Sequence, residues 1–286
     1  MSLTIILDSG LGNQLFMLFT GISYAIDNNI DFGIYPVYNT FRKFYFTSFL
    51  KSLIFKVVHL NNNVNSADFY QEPHFHYTPI PLNKKIIKGY FQSYKYFNHN
   101  KNEILRILNI YPSLSMYKIP FPSVAIHLRF GDMSFNQSNH IILPPSYFIN
   151  AIKKLLQLKP DLIYNHKFII YGEKDDDEII NDYCKIINRN LDKPINFIKF
   201  YDIYPNMRDY QELIYMSSSQ HLIIPNSTFS WWSAYLCQNP DKIIIHPSKW
   251  FGINNAHNNI NDIFPSEWIK INVDDNELKN EFLYNL

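Results

Sequence analysis

His127 and Arg129 stand two residues apart in Val124-Ala-Ile-His127-Leu-Arg129-Phe-Gly131-Asp132. In a strand that spacing puts both side chains on one face. An arginine offers a permanent charge and a planar fork that matches phosphate oxygens. Such a group suits a leaving diphosphate, which gains negative charge as its bond to another group breaks. A second cluster, Asn226-Ser227-Thr228-Phe229-Ser230-Trp231-Trp232, sits where an apolar run gives way to a helical pattern. Asn226, Ser227 or Thr228 can cap that helix, and a helix start presents backbone N–H groups and a positive dipole end to an anion. Both clusters also have a plainer reading: an Arg–Asp pair holding a turn, and an ordinary cap followed by two core tryptophans.

Three further groups invite chemistry. Gly10-Leu11-Gly12-Asn13-Gln14 lies between a strand and a helix, and its glycines allow a tight turn with close backbone approach. It completes only part of a dinucleotide fingerprint, because Leu15 stands where a third glycine belongs and Asp31 opens the next strand instead of ending it. A nicotinamide site is therefore not expected. Asp175-Asp176-Asp177 contains an Asp-x-Asp pattern that could hold a divalent metal, but acidic residues also favour the first turn of a helix. His74 and His76 lack an evident third ligand and read as structural.

The elements that must position these groups are clearest in the second half. Strands are expected at 123–129, 167–171, 195–200, 221–225 and 242–246, alternating with helices at 145–158, 176–187, 209–218 and 228–237. Short apolar strands separated by helices imply a buried parallel sheet, whose ligands bind beyond the carboxyl ends of its strands. The first half opens with a strand at 3–7 and a helix whose one face carries Leu11, Leu15, Leu18, Phe19, Ile22 and Ala25. Strands at 30–37 and 85–90 and a helix at 94–110 follow, while 38–84 shows no clear order. Three prolines in 111–122 discourage helix and mark a linker, giving domains 1–115 and 116–286 with the last residues able to pack back on the first domain.

The bulk numbers narrow the classes. A chain of 286 residues that is 47% hydrophobic and 17% aromatic is folded, with room for one large or two modest cores. A net charge of +1 with no basic stripe argues against nucleic-acid binding through phosphate neutralisation. No apolar run is long enough for a membrane span. Cys184 and Cys237 fall in helical segments and read as buried, reduced thiols. The expectation is a soluble cytoplasmic protein, with peripheral membrane attachment left open and no pattern specifying an oligomer. The glycosylation sequons at Asn136 and Asn226 fit a chain that does not enter a secretory lumen, since a glycan on Asn226 would block the proposed anion site.

Leu11-Gly12-Asn13-Gln14-Leu15-Phe16, Lys88-Gly89-Tyr90-Phe91-Gln92-Ser93 with Tyr96-Phe97, His127-x-Arg129-x-Gly131-Asp132 and Asn226 through Trp232 together resemble, in this order, the glycosyltransferase family 11 α-1,2-fucosyltransferases. The resemblance implies an α/β, GT-B-like fold, two Rossmann-like domains with parallel sheets facing across a cleft, the second holding GDP-fucose. It implies inverting transfer of L-fucose to an acceptor glycan, such as the 2-hydroxyl of a terminal galactose, with no cofactor and no metal. In its terms Arg129 grips the β-phosphate. His127, Asn226, Ser227, Thr228, Phe229 and Ser230 shape the donor site. Gly10, Gly12, Asn13 and Gln14 line the cleft, and Asp132 is the candidate base. The family's second motif arginine is replaced by Phe130, whose side chain alternates to the opposite face. A different GDP-sugar donor, or a nucleotide-sugar-binding protein without turnover, are the alternatives.

Overall fold

The computed structural model describes residues 2–37, 65–131, 133 and 137–274. The chain divides into two compact units, Met1–Ser115 with Asn258–Pro265, and Met116–His257 with Ser266–Leu286.

The first unit is built on β1 (Ser2–Leu7), α1 (Leu11–Asp27), β2 (Asp31–Pro36), β3 (Phe69–Gln71), β4 (Ile86–Lys88) and α2 (Lys101–Ile107). Its sheet runs β2-β1-β4-β3, and every pairing is parallel. One apolar face was expected for α1, yet Leu11 through Ala25 is buried except at Asn13. The reason is that α1 is packed from several sides, with Phe97 meeting Phe16 at 5.9 Å and Phe19 at 5.5 Å between ring centroids. Gly21 sets the approach of α1 to β1: a Cβ there would lie 2.3 Å from Ile5 Cδ1.

The helix expected at 94–110 is shorter. Only α2 is α-helical, preceded by 3-10 turns at Tyr94–Tyr96 and Asn98–Asn100. Local polar side chains compete with the helix here. Ser93 Oγ accepts from the Lys95 amide at 3.3 Å, and Asn100 Nδ2 donates to Asp27 Oδ1 at 2.7 Å. The proline-rich stretch was expected to exclude helix, but α3 (Tyr111–Met116) forms with Pro112 in its first turn, where no N–H is required.

The second unit contains β5 (Ser123–His127), α4 (Pro145–Leu158), α5 (Leu162–Asn165), β6 (Lys167–Tyr171), α6 (Asp177–Arg189), β7 (Phe197–Lys199), α7 (Phe200–Ile203), α8 (Asp209–Ser217), β8 (His221–Ile223), α9 (Thr228–Leu236), β9 (Ile244–Pro247) and β10 (Ile269–Ile271). The strand order is β10-β9-β8-β5-β6-β7, all parallel. The expected series ended at β9; β10 adds an edge strand from a segment too short to show a period. Val124, Ile126, Leu128 and Phe130 lie in one core cluster with Tyr147, Ile152, Phe168 and Tyr183. On α9, Trp231 and Trp232 are fully buried, their centroids 5.1 Å apart at 73°. Burying side chains of this size contributes about 2–3 kcal/mol each.

From β5 the chain winds outward through β6 and β7, then returns to the other side of β5 and winds outward through β8, β9 and β10. The direction of winding reverses between β5 and β8. In open α/β sheets such a reversal is where crossover helices leave in opposite senses and a ligand crevice forms at the carboxyl edge.

Candidate functional site

The carboxyl ends of β5 and β8 carry the two clusters singled out from sequence. β5 ends at His127, opposite Tyr171 of β6, and the pairing extends one residue as the Leu128 amide donates to the Tyr171 carbonyl at 2.8 Å. His127 is buried, with its ring centroid 5.7 Å from that of Phe229. Its Nδ1 makes no hydrogen bond among the described residues. Burial, and then the neighbouring Arg129 charge, push its pKa down to about 3. It is therefore neutral at neutral pH and adds no charge to the site.

Arg129 is partly exposed, and its Nη1 donates to Glu173 Oε1 at 2.6 Å. Glu173 follows β6, so the acid comes from the adjacent strand end. Phe130 turns the other way, nearly fully buried and edge-on to Tyr183 at 4.9 Å. The chain then bends at Gly131, which has φ +38°. The Gly131 amide donates to Asp176 Oδ2 at 3.2 Å. Asp132 lies outside the described residues.

At the end of β8, Ser227 takes the N-cap position of α9 but makes no side-chain cap. The capping bond expected of Asn226, Ser227 or Thr228 is absent because their groups are used elsewhere or turned away. Asn226 Nδ2 donates to the carbonyls of Ile141 and Trp250, each at 3.0 Å, and so ties two loops to the strand end. Ser230 Oγ turns back to the Ser227 carbonyl at 3.3 Å. Thr228 and Phe229 open the helix half-buried. The start of α9 thus keeps its positive dipole end without a serine or threonine oxygen folded over it. His127 meets Phe229 across the two strand ends, and Arg129 lies two residues beyond the end of β5, the strand that pairs with β8.

The glycine-containing turn follows β1 at the carboxyl edge of the first unit's sheet. Its left-handed residue is Ser9, with φ +76°, and not a glycine. That conformation costs a non-glycine residue about 1–2 kcal/mol. Side chains compensate: the Ser9 amide donates to Asp8 Oδ1 at 2.6 Å, Asn13 Nδ2 to Ser9 Oγ at 2.7 Å, and Gln14 Nε2 to the Ser9 carbonyl at 2.7 Å. Gly10 has φ −73°, and a Cβ there would meet nothing within 4 Å. Neither conformation nor internal packing demands glycine at this position; it leaves the backbone open to an approaching group. Gly12 is buried within α1. Gln92 Nε2 donates to Asn13 Oδ1 at 2.9 Å, so both ends of the Asn13 amide are fixed.

Sequence reasoning passed over Ser9, Glu173 and Gln92 as site residues. A signal for Glu173 existed, since an acid two residues beyond a strand end faces the same edge as Arg129. Of the neighbouring acidic run, Asp177 bonds Lys199, Tyr201 Oη (2.5 Å) and Asn181 Nδ2 (2.9 Å). His74 and His76 stack at 5.2 Å. Among the described residues no group of three or more His, Cys, Asp or Glu converges as a metal site, and no helix is long and apolar enough to cross a membrane.

Known proteins extend the picture. The chain is 26% identical over 239 residues to the O-antigen biosynthesis glycosyltransferase WbnK of Escherichia coli, spanning 78% of this chain and 72% of that one. It is 29% identical over 192 residues to an α-1,2-colitosyltransferase of Escherichia coli, spanning 64% and 61%. The solved structure of an Arabidopsis thaliana FUT1 mutant in complex with GDP aligns with a TM-score of 0.46 at 11% identity, covering 92% of this chain and 74% of that one. The description "Glycosyl transferase family 11" matches residues 14–272, from α1 through β10, and the chain belongs to that family of glycosyltransferases.

Proposed function

We propose that the chain transfers L-fucose from GDP-fucose to a hydroxyl of an acceptor glycan, the 2-hydroxyl of a terminal galactose, with inversion at the anomeric carbon and without a metal. The observation that carries this reading is that Arg129 follows β5 and the uncapped start of α9 follows β8, the two neighbouring strands between which the six-stranded sheet reverses its winding. A diphosphate fits that placement, and α-1,2 transfer is the linkage in the name of the colitosyltransferase relative.

In this mechanism the acceptor oxygen attacks the anomeric carbon from the face opposite GDP. A carbon–oxygen bond forms as the bond to the β-phosphate oxygen breaks, and GDP leaves with the electron pair. Arg129 moves from Glu173 to the β-phosphate and, with the first amides of α9, stabilises the departing charge. Neutral His127 and Phe229 shape the wall of that crevice. Asp132 takes the proton of the attacking hydroxyl. Asn13, with its amide orientation fixed by Ser9 and Gln92, contacts the donor diphosphate or the reacting hydroxyl.

A second donor is favoured by one observation: a relative is named for colitose transfer. Colitose is fucose lacking one hydroxyl, so the same phosphate site serves both sugars. The test is a donor panel of GDP-fucose, GDP-colitose, GDP-mannose and UDP-sugars, with a galactose-terminated acceptor and EDTA. Fucose transfer in EDTA is expected. Transfer of another sugar alone replaces the donor, a strict metal requirement overturns metal independence, and GDP binding without turnover assigns a silent binding protein.

A further inference from the structure

Glu72 lies one residue beyond β3, and its own amide donates to the Lys88 carbonyl at 2.9 Å, which seats it beside the end of β4. Its carboxylate turns back over the chain that leaves β4. One oxygen, Oε2, accepts from both the Tyr90 amide at 2.8 Å and the Phe91 amide at 2.9 Å. Gly89 makes room for it: a Cβ there would fall 2.4 Å from Glu72 Cβ and 2.7 Å from Oε2.

The turn so held is not one the backbone prefers. Phe91 has φ +51°, a left-handed conformation that its Cβ disfavours. Its ring is buried against Tyr96 at 5.3 Å, and the Ser93 amide closes onto the Phe91 carbonyl at 2.8 Å. Two amide N–H donors converging on one carboxyl oxygen hold the turn against that strain. The next residue is Gln92, buried, whose Nε2 reaches Asn13 Oδ1 at 2.9 Å. A continuous set of bonds therefore runs from Glu72 through the Tyr90–Phe91 backbone to Gln92, Asn13 and Ser9.

We propose that Glu72 is a positioning residue, which fixes the Tyr90–Phe91 turn so that Gln92 holds the Asn13 amide in its working orientation. The proposal rests on the reading above that Asn13 serves the transfer reaction. That reading gives Glu72 no contact with a reacting atom, and its Oε1 is buried without a hydrogen-bond partner among the described residues. Burial also pushes its pKa up to about 7, against the lowering effect of the two amides. Its carboxyl is thus enclosed rather than presented to solvent.

The test compares Glu72→Ala, Glu72→Gln, Gln92→Ala and the double variant Glu72→Ala/Gln92→Ala, assayed well below their melting temperatures. Glu72→Ala is expected to lower kcat about tenfold or more with the donor KM within about threefold, because orientation and not donor binding is lost. Glu72→Gln keeps an acceptor oxygen for the two amides and should retain roughly half of kcat or better. The double variant should be no slower than the slower single variant within about twofold, since both act through one contact. Multiplying losses, or an unchanged kcat in Glu72→Ala, overturn the proposal. If the wild-type chain transfers nothing from GDP-fucose, the proposed function fails separately, and the side-chain amide resonances of Asn13 and Gln92 decide the matter. They should shift and exchange faster in Glu72→Ala but not in Glu72→Gln; resonances unmoved in Glu72→Ala overturn the relay on their own.

Discussion

At the carboxyl ends of β5 and β8 the chain places an arginine, a buried neutral histidine and a helix start with no side-chain cap, whereas at the carboxyl ends of β1 and β4 it places the amides of Asn13 and Gln92 around a strained serine. The two edges come from similar parallel sheets but suit different partners. The first offers positive charge and dipole, which favour a diphosphate. The second spends its carboxylates, Asp8 and Glu72, on backbone amides and leaves polar groups of fixed geometry. Those acids would repel a diphosphate seated directly upon them, while the amides suit hydroxyls. On the proposed reading the first is a charge-stabilising edge and the second an orienting edge.

The largest test of that division is Arg129→Ala. Losing Arg129 from the charged edge should lower kcat/KM for the donor about a thousandfold, or roughly 4 kcal/mol of transition-state stabilisation. GDP affinity should fall with it. Stability should change by no more than about 1 kcal/mol, because its partner Glu173 is largely exposed. Calorimetric GDP binding and steady-state kinetics measure both, and near-normal turnover would break the comparison at its stronger end.

Next in size is Phe130→Arg, which restores the motif arginine that this chain lacks. From the sequence, Phe130 alternates to the face opposite Arg129. In the structure it points into the core beside Tyr183, and an arginine buried there would lack a partner. We expect a loss of about 3–5 kcal/mol in chemical denaturation, with no gain in donor affinity from whatever folds. A tighter-binding, fully stable variant would mean that the charged edge is incomplete as it stands.

On the orienting edge, Asn13→Ala should lower kcat about a hundredfold while GDP affinity stays within about threefold. A matched loss of GDP affinity would show that Asn13 touches the diphosphate, and the two edges would then share one task.

Legibility differed between the units for physical reasons. In the second unit, strand–helix alternation is dense, and α4 and β6 fall on the residues expected, Pro145–Leu158 and Lys167–Tyr171. Buried parallel strands read as apolar runs, and a favourable proline opens α4. His127, Arg129 and 226–230 are therefore legible in the sequence as groups of one sheet edge. In the first unit, β4 falls within the strand expected at 85–90, but β3 is three residues long and its pairing is non-local, so no period announces it. Ser9 was hidden because glycine is the default for a left-handed turn, and here side-chain hydrogen bonds stand in for it. Gln92 and Glu72 act across the gap between strands, and spacing along the chain carries no trace of that.

Titration separates the edges by sign. Each holds a group whose neutral form burial favours: His127 pushed down to about 3, Glu72 pushed up to about 7. An unfolded histidine binds a proton below about pH 6.5, so the His127 contribution is complete above that value and is lost as pH falls toward 3. At pH 5 the loss amounts to roughly 2 kcal/mol. Glu72 behaves oppositely. Its folded form holds the proton more tightly than the unfolded chain does, so its contribution is complete below about pH 4.5 and is lost as pH rises toward 7. His221 and His246, both pushed down to about 4, act in the direction of His127, and Glu212, raised to about 7, acts in that of Glu72. The wild-type curve is thus a sum of opposed slopes, and the informative quantity is its difference from single variants. Denaturation at pH 7, 6 and 5 should show His127→Asn gaining relative to wild type as pH falls, and Glu72→Gln gaining relative to wild type as pH rises. Slopes of the same sign in both variants would mean that one of the two groups is charged in the folded chain, and the symmetry between the edges would be broken there.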